Sequence, residues 1–237
     1  MRRYLLLDDN RALAENLAEI LRDEGHQATV VSTGDEALRA VGATRFDALV
    51  TDMRMPGMSG ADAVRCIRRV DPGIATVVMT AYPREDDLET ARREGLLAVL
   101  PKPVPISTLM ELLANARRDG LVVVAEDDPA LSDNLSELLR ARGFSCVTVS
   151  SALDADLLSC AMPFAALVDL RMPGGPDGEA LRRLRARFPS LSTFVMTAWP
   201  DLAPLGEGVD VYSKPFDTGA LMGALETAHA ARPVSSP

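Results

Sequence analysis

Short apolar runs alternate along the chain with longer segments whose apolar residues recur at helical spacing. Tyr4–Leu7, Ala28–Val31, Ala48–Thr51, Ile74–Met79 and Ala98–Leu100 are brief, rich in aliphatic and β-branched side chains, and bounded by Gly, Pro or polar residues. That pattern predicts buried strands. Between the first two, Leu13, Leu17, Ile20 and Leu21 fall on one helical face, and Gly25 marks the helix stop. From Arg84 to Gly95, Glu85, Asp86, Asp87 and Glu89 precede Arg92 and Arg93. This order complements the helix dipole and predicts a helix there. Leu109, Leu112, Leu113 and Ala116 form the core-facing stripe of a further helix, running from about Ile106 to Arg118.

The pattern then begins again. YLLLDDNRALAENLAEILRDEG from Tyr4 returns as VVVAEDDPALSDNLSELLRARG from Val122, with Asp128-Pro129 supplying an N-cap and a first-turn proline. DALVTDMRMPG from Asp47 returns as AALVDLRMPG from Ala165, VVMTAYP from Val77 as FVMTAWP from Phe194, and LPKPV from Leu100 as SKPF from Ser213. Asp127 follows Asp9 at an offset of 118, and Thr197 follows Thr80 at 117, but Lys214 follows Lys102 at only 112. A period this long means two whole domains rather than a solenoid. The expected division is residues 1–119, residues 120–231, and a tail of residues 232–237. Five βα units with near-continuous apolar strands imply a parallel sheet covered on both faces, so each domain is read as a doubly wound α/β fold.

The five residues missing from the second copy fall in WPDLAPLGEGVDVYSKP, from Trp199, where the first copy has the helix of 84–95. Proline inside a helix costs roughly 3 kcal/mol and glycine about 1 kcal/mol. Pro200, Pro204, Gly206 and Gly208 therefore predict that the second domain's fourth helix is absent or a short turn.

Composition narrows the function. Of 237 residues, 47% are hydrophobic, which excludes global disorder, and the net charge of −9 is a poor match for nucleic acid. The apolar run after Arg3 stops at Asp8, too short for a secretory signal, and Leu121 to Ala125 is far from spanning a bilayer. Cys66, Cys146 and Cys160 lack metal-like spacing and read as buried thiols. These features describe a soluble, cytoplasmic protein with no membrane or nucleic-acid partner. His26 and His229 read as exposed, and Arg182, Arg183, Arg185 and Arg187 as a solvated helix face.

In a doubly wound sheet, ligands bind beyond the carboxyl ends of the strands. The polar residues that end the apolar strands gather there: Asp8, Asp9, Asp52, Thr80 and Lys102 in the first copy, and Glu126, Asp127, Asp169, Thr197 and Lys214 in the second. Three converging carboxylates repel one another, and a divalent cation relieves that repulsion. Oxygen ligands in an incomplete cage favour Mg²⁺, while Lys and Thr can receive phosphoryl oxygens. The composite is a phosphoryl-handling site in which a carboxylate serves as nucleophile.

The acidic pair, D-x-x-M-P, T-A and K-P, in that order and twice over, resemble response-regulator receiver domains. The resemblance covers nearly the whole chain and implies two flavodoxin-like (βα)5 domains of a two-component phosphorelay. It implies phosphoryl transfer to Asp52 and Asp169 from a histidine kinase or phosphotransfer protein, with one Mg²⁺ per domain. Asp9 and Asp127 would ligate the ion directly, Asp8 and Glu126 would help through water, and the backbone carbonyls of Arg54 and Arg171 would complete the set beside the acceptors. Thr80 and Thr197 would swing toward the acyl phosphate, and Lys102 and Lys214 would pair with it. Pro103 and Pro215 would follow cis peptide bonds.

Departures from the receiver pattern carry their own expectations. The aromatic residue that receivers commonly place three before the last lysine is replaced by Val99 and Val211, with Tyr212 one position late, which puts aromatic switching in doubt. Tyr82 and Trp199, with Arg54 and Arg171, are bulky neighbours positioned to shield an acyl phosphate. The loop MPGGPDG is one residue longer than MPGMSG. The first domain, keeping its fourth helix, is the expected site of homodimerisation. With only a short tail after the last helix, the chain reads as tandem receivers without an output domain. They would be no enzymes beyond self-catalysed phosphorylation and dephosphorylation, signalling to an output protein by contact. The alternatives are a receiver fragment of a hybrid kinase, a scaffold whose second receiver only docks or dimerises, or a metal-dependent phosphatase. Arg54 argues against the last, because a second acidic residue is expected there.

Overall fold

The computed structural model describes residues 1–81, 94–158, 162–202 and 209–232. Tyr82, Cys160 and residues 84–93 of the helix predicted over 84–95 lie outside the described residues. The chain divides into two compact units, one of residues 1–119 with 141–145 and the other of residues 120–140 with 146–237.

In the first unit, β1 (Arg3–Leu7), α1 (Arg11–Asp23), β2 (Gln27–Val31), α2 (Gly34–Ala43), β3 (Ala48–Asp52), α3 (Gly60–Val70), β4 (Ala75–Thr80), β5 (Ala98–Pro101) and α4 (Ile106–Asn115) follow in order. The strands form a parallel sheet of order β2-β1-β3-β4-β5. Alternation along β1 explains why its run is apolar throughout. Tyr4 and Leu6 enter a core with Leu17 and Leu21 of α1 and Leu109 and Leu113 of α4. Leu5 and Leu7 enter the opposite core with Ala37 and Val41 of α2 and Val64 and Ile67 of α3. Side-chain caps start the helices: Asn10 accepts from Leu13 N, Thr33 from Glu36 N and Ser59 from Asp62 N. Gly25, at φ +82°, takes the left-handed conformation that ends α1, as its position in the sequence predicts.

The second unit contains β6 (Leu121–Ala125), α5 (Pro129–Ala141), β7 (Ser145–Val149), β8 (Ala165–Asp169), α6 (Glu179–Arg187), β9 (Ser192–Thr197), β10 (Val209–Ser213) and α7 (Thr218–Ala230). Its sheet repeats the same order, β7-β6-β8-β9-β10. Two of its crossovers carry 3₁₀ turns among the described residues. After β9 the described residues hold one 3₁₀ turn, Pro200–Leu202, in the segment where proline and glycine predict a lost helix. Between β7 and β8 there is a second 3₁₀ turn, Asp154–Leu157, where the first unit has α2.

Arginine side chains account for the second turn. Arg187 donates to the carbonyls of Asp156 and Leu158, and Arg183 pairs with Asp156 and with Glu179. In an α-helix the Asp156 carbonyl would accept from the backbone four residues on. A guanidinium occupies it instead. Arg183 and Arg187 therefore fasten the crossover, and the expectation of a wholly solvated basic face holds for Arg182 but fails for these two. The histidines also depart from expectation. His26 packs edge-on to Tyr4 at 5.4 Å and His229 edge-on to Phe164 at 5.0 Å, both half-buried. Cys146 is buried and burial raises its thiol pKa, as the reading of inert core thiols requires; Cys66 is half-buried. No helix among the described residues is long and apolar enough to cross a membrane.

Gly60 ties the fold to the end of β3. Its N–H donates to Met53 O at 2.8 Å, and a Cβ there would collide with the Asp52 carbonyl oxygen and lie 2.9 Å from Met53 Cα. Its obstacle is backbone, which cannot rotate away. Gly60→Ala is expected to destabilise the protein by about 1–3 kcal/mol, the usual range for overpacking. A urea unfolding midpoint equal to wild type would contradict this contact.

Candidate functional site

The site of the first unit lies where the strand order reverses, between β1 and β3. Asp8 follows β1, Asp52 ends β3, Thr80 ends β4 and Lys102 follows β5. Each strand delivers its polar residue at the point where its buried run stops, so the sheet's parallel register brings all four to one edge. Lys102 Nζ reaches both carboxylates, donating to Asp8 Oδ2 at 2.9 Å and Asp52 Oδ2 at 2.7 Å. Backbone donors fix the other oxygens: Asn10 N donates to Asp8 Oδ1 at 2.8 Å and Arg54 N to Asp52 Oδ1 at 3.2 Å. Thr80 is buried, and its carbonyl accepts from Lys102 N at 2.7 Å.

The second unit repeats the arrangement. Lys214 Nζ donates to Glu126 Oε2 at 2.8 Å and Asp169 Oδ2 at 2.6 Å. Asp128 N donates to Glu126 Oε1 at 3.3 Å and Arg171 N to Asp169 Oδ1 at 3.0 Å. The carbonyl of buried Thr197 accepts from Lys214 N at 2.7 Å. Cis peptide bonds precede Pro103 and Pro215, as the resemblance implies.

Burial and charge oppose each other at these groups. For Lys102, burial alone would lower the pKa, but hydrogen bonds to Asp52 and Asp8 and their charges outweigh it, holding the pKa above its ordinary value. Lys214 is raised in the same way by Asp169 and Glu126. Glu126 is pushed up, chiefly because it is buried and then by the neighbouring Asp169 charge, against the opposing pull of Lys214.

Each site also holds one exposed carboxylate, Asp9 or Asp127, that makes no side-chain hydrogen bond among the described residues. Asp8, Asp9 and Asp52 each bring an oxygen within 4.8 Å of the others, as do Glu126, Asp127 and Asp169. One lysine cannot balance three carboxylates, so each cluster retains excess negative charge. All-oxygen donors of this kind fit a hard divalent cation that keeps some of its waters.

Thus Asp8, Asp9, Asp52, Thr80 and Lys102 converge, and so do Glu126, Asp127, Asp169, Thr197 and Lys214. Arg54 and Arg171 lie two residues after Asp52 and Asp169, with their N–H groups on those carboxylates. Trp199 N donates to Thr197 Oγ1 at 3.0 Å, and Arg171 stacks on the Trp199 ring at 3.7 Å. Sequence reasoning passed over Asp177, whose carboxylate accepts from Arg171 Nε at 3.1 Å. The signal was the longer MPGGPDG loop that carries it. On β10, unbroken register from Val209 to Ser213 excludes a bulge among those residues. Val211 packs into the core, while Tyr212 lies one register position on, with its ring 6.3 Å from that of Phe194.

Fold and site together define a doubly wound domain with a lysine-bridged acidic cluster at its switch point, present twice. The Response regulator receiver domain family matches residues 4–114. A response regulator receiver protein of Anaeromyxobacter sp. (strain Fw109-5) is 56% identical over 232 residues, covering 98% of this chain and 97% of that protein. The chain belongs to the response regulator receiver family, whose members accept phosphoryl groups on aspartate in exchanges with histidine kinases or phosphotransfer proteins. The response regulator protein FleR of Pseudomonas aeruginosa is 33% identical over 62% of this chain but only 33% of its own length. Among solved structures, the receiver domain of a Pseudomonas aeruginosa PAO1 sensor histidine kinase, with a magnesium ion coordinated in its active site cleft, is 28% identical. That match has a TM-score of 0.43 and covers 47% of this chain and 93% of that one.

A lysine with a raised folded pKa stabilises the protein fully below its unfolded pKa, near 10.4, and that contribution is lost as pH rises through the folded value. The wild type should therefore lose stability above about pH 10 more steeply than the Lys102→Met/Lys214→Met variant. Urea unfolding across an alkaline pH series measures this, and parallel curves would contradict it.

Proposed function

We propose that both units are phosphoacceptors, Asp52 in residues 1–119 and Asp169 in residues 120–231, and that the chain signals or relays by protein contact. One observation carries this reading: a lysine bridging two carboxylates, each with its second oxygen held by a backbone N–H, recurs in both units, at 2.9 and 2.7 Å from the lysine nitrogen in the first and 2.8 and 2.6 Å in the second. Retention of that geometry in a second unit that has a 3₁₀ turn where the first has α2 argues that the site itself is what both retain.

The acceptor carboxylate attacks phosphorus, the donor's P–N bond breaks and imidazole leaves. Lys102 or Lys214 then exchanges a carboxylate partner for a phosphoryl oxygen. The Thr80 or Thr197 hydroxyl, at the end of the neighbouring strand, supplies a further donor. Asp8, Asp9, Asp52 and the Arg54 carbonyl would hold Mg²⁺ in the first unit, and Glu126, Asp127, Asp169 and the Arg171 carbonyl in the second. Mg²⁺, when bound, offsets the repulsion between these carboxylates and an incoming phosphoryl group. Phosphorylation adds about −1.5 to −2 charges beside Thr and Lys, enough to reorder the strand-end loops.

The donor is a cytoplasmic histidine kinase or phosphotransfer protein, the output is a protein partner, and homodimerisation proceeds through the first unit. The chain turns over no separate substrate. Neither nucleic acid nor membrane is a partner of this acidic chain.

Intact mass after incubation with Mg²⁺ and acetyl phosphate tests the assignment. Wild type should gain two phosphoryl increments, and Asp52→Asn and Asp169→Asn should each lose one. A single increment abolished by Asp52→Asn alone would leave the second unit as a docking module.

A further inference from the structure

We propose that an apolar cavity in the first unit, between α1 and α4, binds a neutral small molecule that is mostly carbon, and that its occupancy slows phosphoryl acceptance at Asp52. The second half of this inference rests on the reading of Asp52 as a phosphoacceptor; the first half does not. The cavity has a volume of about 480 Å³, inside the range of about 300–1,000 Å³ typical of small-molecule sites. Its floor is the sheet face of Leu6, Val50 and Met79. Ala14 and Leu17 of α1 make one wall, and Val104 and Leu109 the other. Leu13 and Ile106, also lining it, are 41% and 42% exposed, so two large apolar side chains stand partly in water at the same place.

The repeat explains the space. In KPVPI, from Lys102, Val104 and Pro105 stand where KPFDT, from Lys214, has Phe216 and Asp217. Phe216 carries a ring at that corner, and Asp217 caps α7 by accepting from Gly219 N and Ala220 N. The first unit has a smaller side chain there, and Pro105 supplies no side-chain cap to α4. From the facing helix, Ala14 contributes only a methyl group. Protein interiors hold few voids larger than a water molecule, so a space of this size calls for an occupant. Water is a poor one, because walls of aliphatic side chains offer it few hydrogen-bond partners.

Asp8, Asn16 and Lys102 are the polar residues of the lining, and they decide the ligand's charge. Asp8 Oδ1 accepts from Asn10 N at 2.8 Å and its Oδ2 from Lys102 Nζ at 2.9 Å, while the same ammonium holds Asp52 at 2.7 Å. A charged ligand would lose its hydration and meet no unpaired counter-charge in the cavity, so the occupant is neutral. Asn16, exposed at the rim, can share a hydrogen bond with one amine, hydroxyl or carbonyl at the ligand's outer end. Lys102 is at once part of the wall and the carrier of the bridge. An occupant packed against it stabilises the arrangement in which it holds Asp8. Phosphoryl acceptance needs the ammonium to exchange a carboxylate for a phosphoryl oxygen. A ligand that favours the first arrangement disfavours the second, by as much as its affinities for the two differ.

The probe is N-phenyl-1-naphthylamine, a neutral aromatic amine with one N–H that brightens in apolar surroundings. Titrated into the full chain, it should fill one saturable site. Val104→Phe, which borrows the second unit's residue, and Ala14→Leu, which fills the facing wall, should each weaken binding about tenfold, the factor that overpacking by a few methylenes supports. Leu157→Ser, at a leucine of the second unit that is 74% exposed, should leave binding unchanged. In Asp169→Asn protein, where only Asp52 takes label, saturating probe should slow labelling by acetyl phosphate and Mg²⁺ about fivefold, the low end of coupling between linked sites. Val104→Phe should remove that effect. Equal binding in all variants, or its loss on Leu157→Ser, would overturn the site. Probe affinity that falls as protein concentration rises would give the cavity to a second copy of the chain and overturn it likewise. Binding that leaves the labelling rate untouched would overturn the control of Asp52. Absence of label without probe would overturn the phosphoacceptor reading instead, and the cavity would stand or fall on the fluorescence titration.

Discussion

The structure depends on one lysine held between two carboxylates at the edge of a parallel sheet. Lys102 satisfies Asp8 and Asp52 together, and these residues arrive from three different strands. Without the ammonium, two carboxylates at the ends of adjacent buried strands would repel across a site with little water. With it, one of those charges is offset, and the remainder, together with the exposed Asp9, is the surplus that a divalent cation can meet. The same constraint explains why the strands are apolar up to their last residue. Residues 4–7 and 48–51 hold the strand ends in place, and a well-packed sheet keeps two carboxylates within about 3 Å of one nitrogen.

The repeat shows which parts of the fold that interaction demands. The second unit keeps the lysine bridge while exchanging Asp8 for Glu126, whose carboxylate is pushed toward protonation by burial. It holds a 3₁₀ turn where the first unit has α2, and its described residues after β9 hold another. Neither crossover carries a residue of the acidic cluster. Helices on the sheet's flanks can therefore shorten once arginine side chains satisfy the freed carbonyls, as Arg187 does for Asp156 and Leu158. The loops between strand ends and helices cannot change so freely, and the longer MPGGPDG loop brings Asp177 to Arg171.

Much of this was legible in the sequence because it follows local rules. Strand limits agree within one residue, since a buried strand must stop where its first charged side chain appears, as at Asp8 and Asp52. The ten residues of the two clusters could be named because they stand at the ends of apolar runs and recur in the same order in both copies. What escaped was long-range pairing. Nothing within residues 151–158 announces a 3₁₀ turn, because the guanidinium that occupies its carbonyls comes from Arg187. Asp177 looked like one more loop residue until folding set it beside Arg171. The aromatic packing of His26 and His229 is likewise a contact between segments far apart in the chain.

The central claim is that the two lysine-bridged clusters are equivalent cation and phosphoryl sites. Calorimetric titration of the full chain with Mg²⁺ in the presence of beryllofluoride tests it most directly. The account predicts two sites per chain, with Asp9→Ala and Asp127→Ala each reducing the stoichiometry to one while the other site binds as before. A single site in the wild type, or binding indifferent to both substitutions, would contradict it.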